Sequence, residues 1–136
     1  MKTLVDTSVW SEAFRRNHPL RGNHAHELSR LIEEGEAVLI GPIRQELLSG
    51  ISDMEKFLRL KDTLASISDE ALDSVDFENG AKCFNACRKH GIQGEHTDFL
   101  ICAVAMRRGM PIFTVDKDFK NYAKVLPINL HVLNPH

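Results

Sequence analysis

The sequence predicts an α/β fold in which a mainly parallel central sheet is flanked by helices on both faces. Short runs rich in Val, Ile and Leu alternate along the chain with amphipathic segments of helical period. Residues 99–106 are apolar nearly all round, as expected for a central buried helix. The 136 residues contain no repeat or linker, so we predict one domain over residues 1–136.

The first half of the chain starts with a strand and continues with helices around a second strand. "KTLVD" is a buried strand that ends at Asp6, and Thr7 or Ser8 is available to cap the helix "TSVWSEAFRR". "AHELSRLIEEG" is helical and stops at Gly35, where a helix C-terminus favours glycine. "AVLI" is the second strand. "GPIRQELLSG" follows as a helix, because Pro42 suits a first helical turn.

The second half continues the alternation. "DMEKFLRLKDTLASI" and "DFENGAKCFNACRKHG" are typical of amphipathic helices. The apolar helix "HTDFLICAVAMRRGM" has Thr97 as its expected cap and ends at Gly109. "PIFTVD" is a strand, "DFKNYAKVL" a short helix and "INLHVL" a last strand. Strands that alternate with helices predict βαβ crossovers and a parallel sheet.

The formal charge of −2 provides no overall basic field for nucleic acid, so any phosphate contact must be local. Each basic stretch is most simply a solvated surface. The stretches lie at residues 15–26, 87–91 and 106–110, with further lysines at Lys117, Lys120 and Lys124.

Three cysteines, Cys83, Cys87 and Cys102, indicate reduced thiols rather than a disulfide framework. Cys83, Cys87 and His90 have a spacing that is compatible with a metal cluster, but we interpret them as one packed face of a helix. No apolar run approaches the roughly 20 residues that cross a bilayer, and "MKTLVDTSVW" lacks the apolar segment of a signal peptide. We therefore expect a cytoplasmic protein with no membrane contact.

Acidic residues follow the predicted strands or lie in the helices after them. They are Asp6, Glu46, Asp98 and Asp116, with Asp118 as a possible fifth. In parallel α/β sheets the ligand site lies beyond the carboxyl ends of the strands, so these acids are expected to converge. Clustered carboxylates repel unless a cation is present, and Mg²⁺ or Mn²⁺ prefers such oxygen ligands. Each acid taken alone is better explained as a helix cap or turn residue, so the predicted site rests on the acids taken together.

Three segments carry a resemblance to a known family. They read "LVDTSVW", "PIRQELLSG" and "TDFLICAVAMRRGMPIFTVDKDF". In this order, and in a chain of this length, they resemble the PIN-domain ribonucleases, most closely the VapC toxins of bacterial and archaeal toxin–antitoxin pairs. The resemblance implies a single PIN-like domain and Mg²⁺- or Mn²⁺-dependent hydrolysis of RNA, with transfer or ribosomal RNA as the substrate.

The resemblance also implies roles for individual residues. The implied catalytic acids are Asp6, Glu46, Asp98 and Asp116. The implied metal ligands are Asp6, Asp98, Asp116 and Asp118. The implied substrate-pocket residues are Thr7, Ser8 and Thr114. Asp118 is alternatively the cap of the short helix that starts at Phe119. Departures from the family pattern are His96 and Thr97, where members often carry small or acidic residues, and Cys102 in place of a common alanine.

The resemblance further implies a VapB-like antitoxin whose C-terminal segment crosses the acids with an arginine or lysine. A helix of that antitoxin would lie in an apolar groove around Trp10, Phe14, Leu28 and Leu31, although Trp10 taken alone is better explained as a core residue. A homodimer is also implied, with the candidate contact residues Tyr122, Val125 and Leu126, which could equally complete the monomer core.

Two other functions fit parts of the sequence. A non-catalytic PIN-fold module that binds or processes RNA would carry the same acids by ancestry. A haloacid-dehalogenase-type phosphatase also begins with a strand that ends in aspartate, but it needs a second aspartate two residues on, where this chain has Ser8.

Overall fold

A computed structural model describes residues 1–15 and 22–133. Within these residues the chain forms a four-stranded sheet whose strands are all parallel, in the order β3-β2-β1-β4. Its strands are β1 (Thr3–Val5), β2 (Ala37–Leu39), β3 (Ser68–Asp69) and β4 (Ile112–Phe113). The predicted α/β class with a parallel central sheet is confirmed.

Seven helices connect and flank the strands in the described part of the chain. They are α1 (Thr7–Arg15), α2 (Asn23–Glu33), α3 (Gly41–Leu48), α4 (Met54–Ala65), α5 (Ser74–Lys89), α6 (His96–Arg108) and α7 (Asp118–Tyr122). None of the helices described is long and apolar enough to cross a membrane.

The sheet is covered on both faces. Thr3, Leu4 and Val5 are all buried, although successive side chains of a strand point to opposite faces. Helix α6 is central, as predicted, with every side chain from Phe99 to Ala105 buried. It packs along α5, where a Cβ on Gly80 would lie 3.5 Å from the Leu100 backbone. Gly80 thus lies inside a helix and permits close helix packing.

The edges of the sheet differ from the prediction. Strand β3 is exposed and polar, so no apolar pattern in the sequence indicates it. The predicted last strand is reduced to one parallel bridge between Ile112 and Leu130. The segment is held from the side instead, because the ring of His131 hydrogen-bonds the buried carboxylate of Glu27 on α2.

Two predicted helix caps are wrong. Ser8 donates its backbone N–H and its hydroxyl to Asp6 Oδ2, so Asp6 caps α1 in place of Thr7 or Ser8. Helix α6 begins at His96, which puts Thr97 inside its first turn. The cap at Gly109 is confirmed, because this residue has φ of 66°.

The residues expected to form two protein interfaces belong mainly to the core. Trp10, Leu28 and Leu31 are buried, whereas Phe14 is 38% exposed, so these residues do not form the predicted groove, and the core position expected for Trp10 is confirmed. Tyr122 and Leu126 are buried too and finish the monomer core rather than a dimer contact. Most of these side chains are large and apolar, so their burial in the monomer core removes much apolar surface from water and stabilises the fold. The free cysteines Cys83, Cys87 and Cys102 are buried as well, as predicted.

Candidate active site

A cleft of about 970 Å³ opens at the edge of the sheet where β1 and β4 end. All five acids predicted from the sequence line it, together with two more. The seven are Asp6, Glu12, Glu46, Glu95, Asp98, Asp116 and Asp118. The other lining residues are Thr7, Ser8, Ser11, Thr97 and Val115, so none of the described residues that line the cleft is basic.

The fold brings these acids together from distant parts of the chain. Asp6 follows β1 directly, and Asp116 follows β4, which pairs with β1. Glu46 lies on α3, Asp98 in the first turn of α6 and Asp118 in the first turn of α7. Parallel pairing sends the carboxyl ends of neighbouring strands to one edge, and this is why the acids converge.

A network of hydroxyl groups holds Asp6. Its Oδ2 accepts hydrogen bonds from Ser8 Oγ at 2.6 Å and from Thr114 Oγ1 at 2.8 Å. Ser8 Oγ also accepts from the Val115 N–H, and Thr114 Oγ1 accepts from the Asp116 N–H. Ser8 and Thr114, predicted as pocket residues, thereby join the ends of β1 and β4. Thr114 supports Asp6 without lining the cleft itself.

Asp98 is a half-buried acid of the cleft, and Tyr122 positions it. The Tyr122 hydroxyl donates to Asp98 Oδ2 at 2.7 Å. Burial raises the pKa of Asp98 to about 6; the Tyr122 hydrogen bond opposes this, and the negative charges of Asp6, Asp116 and Asp118 add to the rise. The carboxylate–carboxylate repulsion expected from the sequence therefore acts on Asp98.

Asp118 is not the cap of α7. Its backbone N–H donates to Asp116 Oδ1 at 2.9 Å, and the helix begins at Asp118 itself. The side chain of Asp118 is exposed and lines the cleft. Removal of the capping alternative leaves Asp118 free to act as a ligand, and that role stays a prediction.

The residues of the cleft fit a hard divalent cation. Carboxylates and hydroxyls are the oxygen ligands that Mg²⁺ and Mn²⁺ prefer. Thr7 Oγ1 is buried and, among the described residues, has no hydrogen-bond partner. No three acidic, histidine or cysteine side chains of the described part are already arranged as a metal cage. Mg²⁺ commonly binds through one or two carboxylates and keeps several waters, so an open set of acids suits it.

Three functional candidates were missed from the sequence. Glu12 lies one helical turn after Ser8, and that i, i+4 spacing is a signal that was available. Glu95 precedes α6 and was indistinguishable from a solvated loop residue. Tyr122 had no local signal, because it reaches Asp98 across 24 residues.

Comparison with known proteins gives a consistent family. The chain matches the PIN domain family over residues 3–125. The VapC ribonuclease Mb1587 of Mycobacterium bovis is 34% identical over 128 residues, which cover 90% of this chain and 92% of that protein. Ribonuclease VapC11 of Mycobacterium tuberculosis matches with the same identity and coverage.

Solved structures share the fold. VapBC2 from Rickettsia felis, bound to a DNA fragment from its promoter, has a TM-score of 0.77 at 14% identity and covers 98% of this chain and 100% of its own. FitAcB from Neisseria gonorrhoeae has a TM-score of 0.71 at 21% identity, with 96% of both chains covered.

Proposed function

This chain belongs to the PIN domain family, with VapC ribonucleases as relatives, and we propose that it is a metal-dependent endoribonuclease toxin neutralised by an antitoxin. The observation that carries this proposal is the convergence of seven carboxylates, without a basic side chain among the described lining residues, in one cleft. An RNA phosphodiester is itself an anion. The cleft would repel it unless cations from outside the chain offset both charges.

The residues of the cleft would have distinct roles in this reaction. Mg²⁺ or Mn²⁺ would be held by Asp6, Asp98, Asp116 and Asp118. Hydrogen bonds from Ser8 and Thr114 fix Asp6, and a hydrogen bond from Tyr122 fixes Asp98. When bound, the cation supplies charge compensation for the phosphodiester and activates water near neutral pH. Glu46 is exposed at the mouth of the cleft, where its carboxylate can accept a proton from the attacking water.

The proposed substrate and partners are inferred from the relatives. The curated relatives are named ribonucleases, and this supports RNA as the substrate, with transfer or ribosomal RNA as the expected class. A toxin–antitoxin complex from Klebsiella pneumoniae shares the fold with a TM-score of 0.65 at 18% identity, and this supports a VapB-like antitoxin as the partner of this chain. An arginine or lysine of that antitoxin would neutralise the acids directly. We further propose that the protein acts as a homodimer in the cytoplasm.

The test is cleavage of single-stranded RNA by the purified chain with Mg²⁺, with Mn²⁺ and with a chelator. We expect cleavage with either cation and none with the chelator. Asp98→Asn keeps the shape of the side chain and removes its charge, so it should lower the cleavage rate by at least about 100-fold. The matched control is Asp62→Asn, an exposed acid on α4 outside the cleft, which should cleave as the wild type does.

Two outcomes would contradict the proposal. RNA binding without cleavage under every metal condition would identify a non-catalytic RNA-binding module. Release of inorganic phosphate from a small phosphomonoester, with intact RNA, would identify a phosphatase.

A further inference from the structure

Beside the acid cleft lies a surface of opposite character. The imidazole of His96 stacks on the ring of Phe84, with centroids 5.0 Å apart and 14° between the planes. The guanidinium of Arg88 lies 5.6 Å from the centroid of the same ring. His96 and Arg88 are exposed, and Phe84 is half-buried. We name Phe84, Arg88 and His96 the stacking shelf.

The stacking shelf is adjacent to the acid cleft. A second cavity, of about 150 Å³, is lined by Phe84, Arg88 and Gly94 among others. Glu95 and Thr97, the neighbours of His96 in the chain, line the acid cleft. His96 is two residues from Gly94, which lines the second cavity, and two residues from Asp98, which lines the acid cleft.

A chain of aromatic rings fixes the shelf relative to the acids. Phe99 meets Phe84 edge to face at 5.6 Å and packs on Tyr122 at 4.8 Å. Tyr122 in turn donates to Asp98. These rings are buried or half-buried, so a ligand on the shelf is held at a set distance from Asp98.

The charge distribution makes Arg88 a candidate for the local phosphate contact. Arg107 and Arg108, of the basic stretch 106–110, are engaged by Asp73 and Asp76. Residues 16–21 of the stretch 15–26 lie outside the described residues. Arg88 makes no ion pair with any residue that the structure describes, and it faces an aromatic surface. An acidic cleft needs such a cation close by if it is to receive a polyanion.

We propose that the stacking shelf binds a nucleotide adjacent to the scissile phosphate of single-stranded RNA. The base stacks on the open face of His96, and its phosphate contacts Arg88. Aromatic and imidazole rings receive unstacked bases in this way, and arginine adds charge and planarity. This inference rests on the ribonuclease function proposed above and makes His96 and Arg88 determinants of substrate binding.

The experiment compares His96→Ala and Arg88→Ala with wild type in cleavage of a short single-stranded RNA. We expect each to raise KM by about 10-fold with little change in kcat, because stacking and phosphate contacts act on binding. Arg88→Ala should also reduce the slope of log affinity against log salt by about 0.7, the value for one phosphate contact on a single strand. His96→Phe keeps a stacking ring and should restore the KM of wild type.

The control is Lys82→Ala, which removes a positive charge from α5 two residues before Phe84 and hence on another side of the helix. It should leave KM and the salt slope unchanged. Because His96, Arg88 and Lys82 are exposed, all variants should melt as the wild type does, and melting curves check this.

Binding of the same RNA, labelled with a fluorophore, is measured in parallel in an Asp98→Asn background. This separates the two proposals, since loss of affinity on His96→Ala is informative even where wild type cleaves nothing. Normal cleavage with unchanged KM, affinity and salt slope in the variants would overturn the shelf and leave the ribonuclease proposal intact. Variants that bind RNA normally but lose a two-fold oligomer would show that the shelf is a protein interface, and the RNA assignment would be wrong.

Discussion

The carboxylates at the two ends of helix α6 lie in opposite electrostatic environments. At its C-terminal end, Arg108 donates to both oxygens of the buried Asp76, at 2.8 and 3.0 Å, and Arg107 donates to Asp73 at 2.7 Å. These four residues form the ion-pair cluster that joins α5 to α6. At the N-terminal end, Asp98 receives one hydrogen bond from a neutral phenol and faces other carboxylates.

The pKa values of Asp76 and Asp98 differ accordingly. Hydrogen bonds from Arg108, with a contribution from Arg107, hold the pKa of Asp76 well below its usual range. Burial and neighbouring carboxylates raise the pKa of Asp98. The ion-pair cluster is neutralised within the chain and contributes to the fold. No basic side chain lines the acid cleft among the described residues, and this is expected of a site that takes its cation from outside.

The largest effect is expected from Asp76→Asn, which breaks the ion-pair cluster at its buried centre. The substitution leaves Arg107 and Arg108 without their shared carboxylate, so unfolding free energy should fall by about 3–5 kcal/mol. Denaturant unfolding measures this, with Asp62→Asn as the exposed control. An Asp76→Asn protein as stable as wild type would show that the cluster does not hold α5 to α6.

The second prediction concerns pH in the metal-free protein. Asp98 has a pKa of about 6 in the folded state, above the ordinary aspartate value of about 3.9, so the folded state binds more protons between these values. Stability should therefore fall as pH rises from about 4 to about 6, by at most about 3 kcal/mol from this group.

Asp98→Asn should remove that fall, and unfolding curves across this pH range measure the difference from wild type. Asp76 has the opposite sign, since its lowered pKa makes its contribution present above about pH 4 and lost on acidification. Identical pH profiles for wild type and Asp98→Asn would refute the raised pKa. Saturating Mn²⁺ should stabilise wild type more than Asp98→Asn, because the metal offsets the repulsion.

The third prediction tests how closely Tyr122 is held against the cleft. A Cβ on Gly94 would lie 2.2 Å from the Tyr122 hydroxyl oxygen and 2.8 Å from its ring. Because Tyr122 is buried, Gly94→Ala should destabilise the protein by about 1–3 kcal/mol and displace the hydroxyl from Asp98. RNA cleavage should fall as well. Gly41→Ala is the control, since nothing lies within 4 Å of its Cβ position.

The smallest effect is expected from Asp73→Asn, at the exposed rim of the ion-pair cluster. Its side chain is 59% exposed, so solvent screens its pair with Arg107. Asparagine also keeps the capping hydrogen bond that Asp73 accepts from the Asp76 N–H. Thermal melting should therefore show a much smaller loss than Asp76→Asn; equal losses would mean that the two acids act as one unit.

Local pattern was sufficient for most of the fold. The apolar run before Asp6 and the apolar segment 99–106 were recognisable because a buried strand and a central helix need continuous apolar sequence. Strand β3 was missed because two exposed polar residues carry no periodic signal. Trp10 and Tyr122 were each assigned both a core and an interface position, because a large apolar side chain suits either, and the structure buries both in the monomer.

For the candidate site, the sequence alone determined which acids follow the strands and open the helices, because parallel strands deliver their carboxyl ends to one edge. Only the tertiary structure decided the environment of each acid. It set Tyr122 against Asp98, brought Glu12 and Glu95 into the cleft and put Arg88 and His96 on one aromatic ring beside it. These relations depend on the packing of segments far apart in the chain, and side-chain spacing within one segment does not record them.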